Sequence, residues 1–153
     1  MAHPAWVRKV FSDGDLDDIA AAVARVEEAA AAEVRVHLER RLPRASRGDA
    51  LPRAEALFQR LGMQRTRRRN GVLIYLALDD HKLAIVGDAG IHARVGPAYW
   101  AGVRDLMVAH LRAHAPREAV VRAVEEIGRV LAEHFPRRPG EAGDEVTNVV
   151  STE

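Results

Sequence analysis

The chain has 153 residues and no cysteine, and 23 basic residues nearly balance 22 acidic residues, which leaves a formal net charge of +1. This length predicts one domain with a sizeable core, the lack of cysteine excludes disulfides, thiolate nucleophiles and cysteine-based zinc sites, and the near-neutral charge argues against a dedicated nucleic-acid binder. No segment has the apolar length of a transmembrane helix or the apolar region of a secretory signal, so we expect a cytoplasmic protein.

The first predicted elements are a helix and a strand. Ser12, with Asp15 three residues later, is typical of a capping box, and apolar residues then recur with a helical period to about Ala31. Residues 34–39 alternate between apolar and polar side chains, which predicts a strand with one polar face. Residues 1–11 are expected to be an N-terminal extension.

A second helix and a hairpin follow. Asp49 can cap this helix and Gly62 can end it. Residues 72–78 form an apolar run, and a second run at residues 83–86 follows after a short polar segment. Two apolar runs so close together predict an antiparallel hairpin.

Helices complete the predicted domain. Gly96-Pro97 begins one helix, and Pro116 fits the first turn of another, which Pro136 ends. Residues 137–153 show no periodicity and are expected to be a flexible tail. The domain is therefore expected to span residues 12–136.

This order of elements predicts an α/β fold. The first strand, second helix and second strand form a β-α-β unit, so these two strands should be parallel. The continuously apolar second strand indicates helices on both faces of the sheet. We expect a three-layer α/β/α sandwich with a small mixed sheet, built from the β-α-β unit plus the β-hairpin, and about four helices.

The predicted topology brings polar residues to one edge of the sheet. Glu33 precedes the first strand, Asn70 precedes the second, and Asp88 follows the third. Oxygen donors of this kind suit a hard cation such as Ca²⁺. The alternative is structural: Asn70-Gly71 forms a turn, Asp88 caps a loop, and Glu33 pairs with Arg69.

Two further groups of residues are candidate sites. The basic cluster formed by Arg65 and residues 67–69 could bind phosphate or an acidic partner, or it could be a solvated loop. His110 and His114 have the i, i+4 spacing of a zinc pair but lack the glutamate of that motif. An exposed helix face is the better interpretation of this pair.

Several segments, in this order, resemble the TPM domain family over roughly residues 12–136. The segments that carry the resemblance are Glu33–Glu39, Phe58-x-x-Leu61-Gly62-Met63, Arg69–Tyr75, Ile85–His92, Tyr99-Trp100 and His134-Phe135-Pro136. The resemblance implies an α/β/α sandwich. It also implies acid phosphatase activity, which is associated with a plant thylakoid member linked to photosystem II repair. Calcium binding, which is associated with some members, is implied as well.

The residues and the resemblance together give two functional hypotheses. In the first, a soluble bacterial TPM-domain protein binds a divalent cation, Ca²⁺ foremost, through Asp88, Asn70 and Glu33. Weak acid phosphatase activity would then use Arg69 or His92 to orient the phosphate of a phosphorylated small molecule or protein partner. In the second, the chain is a non-catalytic interaction module for an acidic or membrane-associated partner.

Overall fold

The computed structural model describes residues 3–138 and 150–152. This part of the chain contains six α-helices and four strands. In chain order they are α1 (Ala5–Arg8), α2 (Asp13–Ala29), β1 (Val34–Glu39), α3 (Ala50–Arg60), β2 (Val72–Ala77), β3 (Lys82–Gly87), α4 (Ala89–Val95), α5 (Pro97–Arg112), α6 (Pro116–His134) and β4 (Val150–Thr152).

The strands form one mixed sheet in the order β3-β2-β1-β4. β1 and β2 are parallel, with Val34 opposite Val72, and β2 and β3 are antiparallel, with Val72 opposite Gly87. The predicted β-α-β unit and hairpin are therefore confirmed. β3 and β4 are the two edge strands of the described sheet.

Helices cover both faces of the sheet. Alternate residues of β1 and β2, such as Val36 and Ile74, join the core formed with α2, α5 and α6. The residues between them, such as Leu73 and Tyr75, pack on the opposite face with Ala54, Leu57 and other residues of α3. This is the expected three-layer arrangement, in which each strand must bury both of its faces.

The helix ends that were predicted from local sequence are also confirmed. Ser12 Oγ accepts from the Asp15 N–H at 3.0 Å, and the Asp15 carboxylate accepts from the Ser12 N–H at 3.0 Å. Asp49 caps α3, since its Oδ1 accepts from the Leu51 N–H at 3.1 Å. Gly62 follows α3 with φ 72°, a conformation that favours glycine.

Two short helices were missed, so the prediction of about four helices is too low. α1 is a single turn and gives no periodic signal, yet Val7 and Phe11 are fully buried in the main core. Residues 7–11 therefore pack as part of the domain instead of extending from it. α4 begins directly after Asp88, where the sequence had suggested that Asp88 caps a loop.

The expectations for β1 and for the C-terminal segment need correction. Arg35, His37 and Glu39 do not form a solvent-facing polar side, because all three are buried, and Arg53 of α3 bonds Glu39. Val150–Thr152 pair in parallel with β1 instead of belonging to a loose tail. Residues 139–149 and 153 lie outside the described residues.

No helix in the described part of the chain is both long and apolar enough to cross a membrane.

Candidate functional site

The predicted edge residues lie at the same end of the sheet. The Glu33 carbonyl accepts from the Val72 N–H at 2.9 Å, and the Gly71 carbonyl accepts from the Asp88 N–H at 2.9 Å. The chain segments that carry Glu33, Asn70 and Asp88 are thus held side by side by backbone hydrogen bonds. The topology of the strands brings them together, as expected.

Asp88 has two partners at this edge. Its Oδ1 accepts from the Ala89 N–H at 2.7 Å, at the start of α4. The Arg69 guanidinium binds the same carboxylate through two atoms, with Nε 2.8 Å from Oδ2 and NH2 3.1 Å from Oδ1. The structural alternative is therefore confirmed in part, because Asp88 caps the segment that follows it. The carboxylate that Arg69 binds through two atoms, however, is that of Asp88 and not that of Glu33.

The exposure of the two partners differs sharply. The Asp88 side chain is 7% exposed, whereas the Arg69 side chain is 54% exposed. Arg69 also has a positive φ of 54°, which is uncommon for a residue with a Cβ. The carboxylate is thus fixed in the protein, and the guanidinium approaches it from the solvent side.

Gly90 explains how the segment at Arg69 can lie so close to α4. The Arg69 carbonyl accepts from the Gly90 N–H at 2.7 Å. A Cβ on Gly90 would lie only 2.0 Å from the Arg68 carbonyl oxygen, so no larger residue fits without moving backbone. The glycine is needed here for close packing of two backbone segments.

Asn70 is the most completely buried polar residue of the edge, with 0% exposure. Its N–H donates to Thr66 Oγ1 at 3.0 Å, and its side-chain Nδ2 donates to the Ala31 carbonyl at 2.9 Å. Its Oδ1 is buried and has no hydrogen-bond partner within the described part of the chain. Glu33 is also buried, at 7% exposure.

His92 lies on α4 and is exposed. Its Nδ1 lies 3.1 Å from Nε1 of Trp100. Because an indole N–H can only donate, Nδ1 must accept, so the neutral ring carries its proton on Nε2. The two predicted phosphate ligands therefore have different partners: Arg69 is hydrogen bonded to Asp88, and His92 is hydrogen bonded to Trp100.

A buried polar cluster on the α3 side of the sheet was not predicted. Glu39 Oε1 accepts from Tyr75 OH at 2.6 Å and from Arg53 Nε at 3.0 Å, and Glu39 Oε2 accepts from Arg53 NH2 at 2.7 Å. Burial would raise the pKa of Glu39, but these hydrogen bonds hold it below its ordinary value. Burial and the Glu39 contact raise the pKa of Tyr75 well above its ordinary value.

His37 connects this cluster to β4. Its Nδ1 is hydrogen bonded to Ser151 Oγ at 2.6 Å, and its ring stacks near Tyr75. Its Nε2 is buried and has no hydrogen-bond partner in residues 3–138 and 150–152. Burial lowers the pKa of His37 to about 4. The histidine of this cluster is neutral, its carboxylate is paired and its tyrosine is protonated. We therefore interpret the cluster as a structural network.

The other predicted groups do not assemble into a site. α5 ends at Arg112, and His114 lies beyond it with a φ of 57°, so His110 and His114 do not share a continuous helix face. Arg65, Arg67 and Arg68 are exposed. Within residues 3–138 and 150–152, no group of three or more histidine, aspartate or glutamate side chains is placed to hold a metal ion.

Comparison with known proteins places the chain among similar folds. A family model described as "TPM domain" matches residues 7–130. The BA42 protein of the psychrophilic bacterium Bizionia argentinensis has a similar NMR structure, with a TM-score of 0.82 and 29% identity, and the match covers 94% of this chain and 95% of that one.

Two more distant structures share the fold. The N-terminal domain of a Corynebacterium glutamicum protein matches with a TM-score of 0.62 and 15% identity, over 90% of this chain and 82% of that one. The N-terminal domain of a P. gingivalis protein matches with a TM-score of 0.67 and 18% identity, over 84% and 83%. A search of curated proteins found no match.

Proposed function

This chain belongs to the TPM domain family, and from that premise we propose that it binds a divalent cation, with Ca²⁺ as the first candidate, at the edge formed by Glu33, Asn70 and Asp88. The observation that carries the proposal is Asn70 Oδ1, a buried oxygen that has no hydrogen-bond partner among the described residues. Leaving such an oxygen unpaired costs about 1–3 kcal/mol. A bound cation would remove this cost.

The donor set has the chemistry that the proposal requires. Glu33 and Asp88 supply carboxylate oxygens and Asn70 supplies an amide oxygen, and all three residues are buried. Ca²⁺ prefers oxygen ligands and accepts six to eight of them, so backbone carbonyls and water would complete its coordination. These donor types suit a hard cation better than a softer zinc ion.

Arg69 limits the affinity that this edge can reach. A cation at Asp88 would compete with the two hydrogen bonds from Arg69. Because the Arg69 side chain is 54% exposed, it can turn into solvent at modest cost. With two carboxylates and a competing guanidinium, we expect a dissociation constant of about 1 mM, in the range of weak calcium modules.

The same edge supports a weak acid phosphatase activity as the finer form of the proposal. A cation held by Glu33, Asn70 and Asp88 would polarise a phosphoryl oxygen and so stabilise the charge that develops on it. Arg69, once released from Asp88, offers the two-point geometry that suits phosphate. His92 is exposed beside this edge and carries its proton on Nε2.

Thermal unfolding with and without Ca²⁺ tests the cation site. At 10 mM Ca²⁺ and a dissociation constant of about 1 mM, binding stabilises the folded state by about 1.4 kcal/mol, which corresponds to a melting shift of roughly 3–5 °C. Asp88→Asn should abolish the shift. Asparagine also caps helices, so α4 should still form.

The matched control is Asp105→Asn on the exposed surface of α5. This variant loses one carboxylate elsewhere and should keep the full Ca²⁺ shift. The same samples are assayed on p-nitrophenyl phosphate, with Ca²⁺ and with a chelator. Turnover that requires Ca²⁺ and Asp88 supports the phosphatase, whereas a melting shift without turnover supports cation binding alone.

An absent melting shift in the unmodified protein rejects the cation site. The second candidate, a non-catalytic interaction module for an acidic or membrane-associated partner, would then stand. The observation that favours it is the exposure of Arg65, Arg67 and Arg68 beside this edge. Such a module needs neither a cation nor turnover.

A further inference from the structure

A cleft of about 460 Å³ lies along the outer edge of β3. Four consecutive residues of the strand, Lys82–Ile85, line it, which corresponds to about 13 Å of extended backbone at ~3.3 Å per residue. The cleft, here called the β3 cleft, is completed chiefly by Arg47, Leu51, Trp100 and Arg104. It therefore runs between the N-terminus of α3 and one side of α5.

The backbone of β3 is open toward this cleft. The hydrogen bond between the Asp88 N–H and the Gly71 carbonyl fixes which residues of β3 bond β2. Because pairing alternates along an antiparallel strand, residues 82, 84 and 86 point their N–H and C=O groups at β2. The N–H and C=O groups of Leu83 and Ile85 then point outward, where the described sheet has no further strand.

The walls of the β3 cleft are apolar at the centre and positively charged at the rim. Leu51 is the single large hydrophobic side chain that is exposed among the described residues, at 47%, and it lies in the cleft wall with Trp100. Arg47, Lys82 and Arg104 are exposed, and none of them forms an ion pair in the described part of the chain. Asp49 is the one carboxylate of the lining, and it already caps α3.

We propose that the β3 cleft binds an acidic, extended polypeptide segment of a partner protein, which adds to β3 as a further strand. The outward backbone groups of Leu83 and Ile85 would supply the strand hydrogen bonds. The three rim cations would attract carboxylates of the segment, and the apolar walls would cover its alternate apolar side chains. A second copy of this chain is disfavoured, because pairing two such edges would bring the two sets of cations together.

Fluorescence anisotropy with synthetic peptides tests this proposal. The probe is a labelled eight-residue peptide of alternating valine and glutamate, and its counterpart has lysine in place of glutamate. The glutamate peptide should bind about tenfold or more tightly than the lysine peptide at low salt. A glutamate peptide with alternate backbone amides N-methylated should also lose about tenfold in affinity, because it cannot complete the strand pairing.

Protein variants locate the binding. Arg104→Glu should weaken the glutamate peptide about fivefold or more, while Arg25→Glu makes the same charge change on the exposed face of α2, away from the cleft, and should leave binding unchanged. Amide NMR shifts on addition of the peptide should be largest in residues 82–86.

Three outcomes would overturn the proposal. Equal binding of the two unmodified peptides, or no binding of either, rejects an acidic ligand. Full binding of the N-methylated peptide rejects strand addition. A dimer in sedimentation that the glutamate peptide dissociates would make the occupant of the β3 cleft a second copy of this chain.

Discussion

Replacing His37 with asparagine should remove a loss of stability that the protein suffers when the pH falls from about 6.5 to 4. Burial lowers the pKa of His37 from 6.5 to about 4, while Glu39 opposes this shift and the charges of Arg53, Arg60 and Arg35 add to it. The unfolded chain therefore binds a proton in this pH range that the folded chain rejects. Stability falls as the pH falls through this window.

The size of the effect follows from the pKa difference. A shift of 2.5 units, from 6.5 to about 4, corresponds to about 3.4 kcal/mol when the window is fully crossed. At pH 5 the loss relative to pH 7.5 is about 2 kcal/mol. Glu39, with a lowered pKa, adds its own loss of stability only as the pH falls toward and below its ordinary pKa.

Urea unfolding between pH 7.5 and 5 measures this loss. His37→Asn keeps a polar group near Ser151 Oγ, which bonds Nδ1 in the native protein, and it should lose about 2 kcal/mol less than the native protein over this range. His81→Asn is the matched control, since His81 is exposed in a turn with φ 54°, which asparagine accepts. Parallel pH profiles for the native protein and His37→Asn would refute the reasoning.

Two further substitutions, with one control, test close contacts of the fold. Tyr75→Phe removes the hydroxyl that donates to Glu39 at 2.6 Å and should cost about 1–3 kcal/mol in urea unfolding at pH 7; a cost near zero would show that Arg53 alone satisfies the carboxylate. Gly90→Ala places a Cβ 2.0 Å from the Arg68 carbonyl and should cost about 1–3 kcal/mol in thermal unfolding. Gly102→Ala, with open space at its Cβ, should instead be neutral or stabilising.

The parts of the fold that local signals specify were predictable from the sequence. Ser12 and Asp49 begin their helices through short-range hydrogen bonds, and Gly62 ends α3, so each boundary depends on residues within a few positions of it. The apolar runs at residues 72–78 and 83–86 likewise specify adjacent strands. Strand direction then followed from the lengths of the connections.

Features that depend on distant residues were not predictable. The alternation of Arg35, His37 and Glu39 with apolar residues is typical of a solvent-facing side, but tertiary contacts bury all three. Glu39, for example, is bonded by Arg53 of α3 and by Tyr75 of β2. Ser151, the partner of His37, is 114 residues away in sequence. No local pattern could have linked these two side chains.

The candidate site was likewise predictable only in part. The topology of the strands was enough to place Glu33, Asn70 and Asp88 at one edge of the sheet. The sequence did not predict that Arg69 binds Asp88 through two atoms, that Arg69 has a positive φ, or that Gly90 packs against the Arg68 carbonyl. These details of backbone geometry have no signature in a single sequence.

The parallel pairing of β4 with β1 matters for how recombinant fragments of this protein should be designed. A fragment trimmed to the family match, residues 7–130, would lose the last turn of α6 together with β4. This fragment would lack the hydrogen bond between His37 and Ser151, and β1 would become an edge strand with an exposed backbone. An exposed edge of this kind promotes strand pairing between molecules. The solubility of the fragment would therefore not represent that of the 153-residue chain.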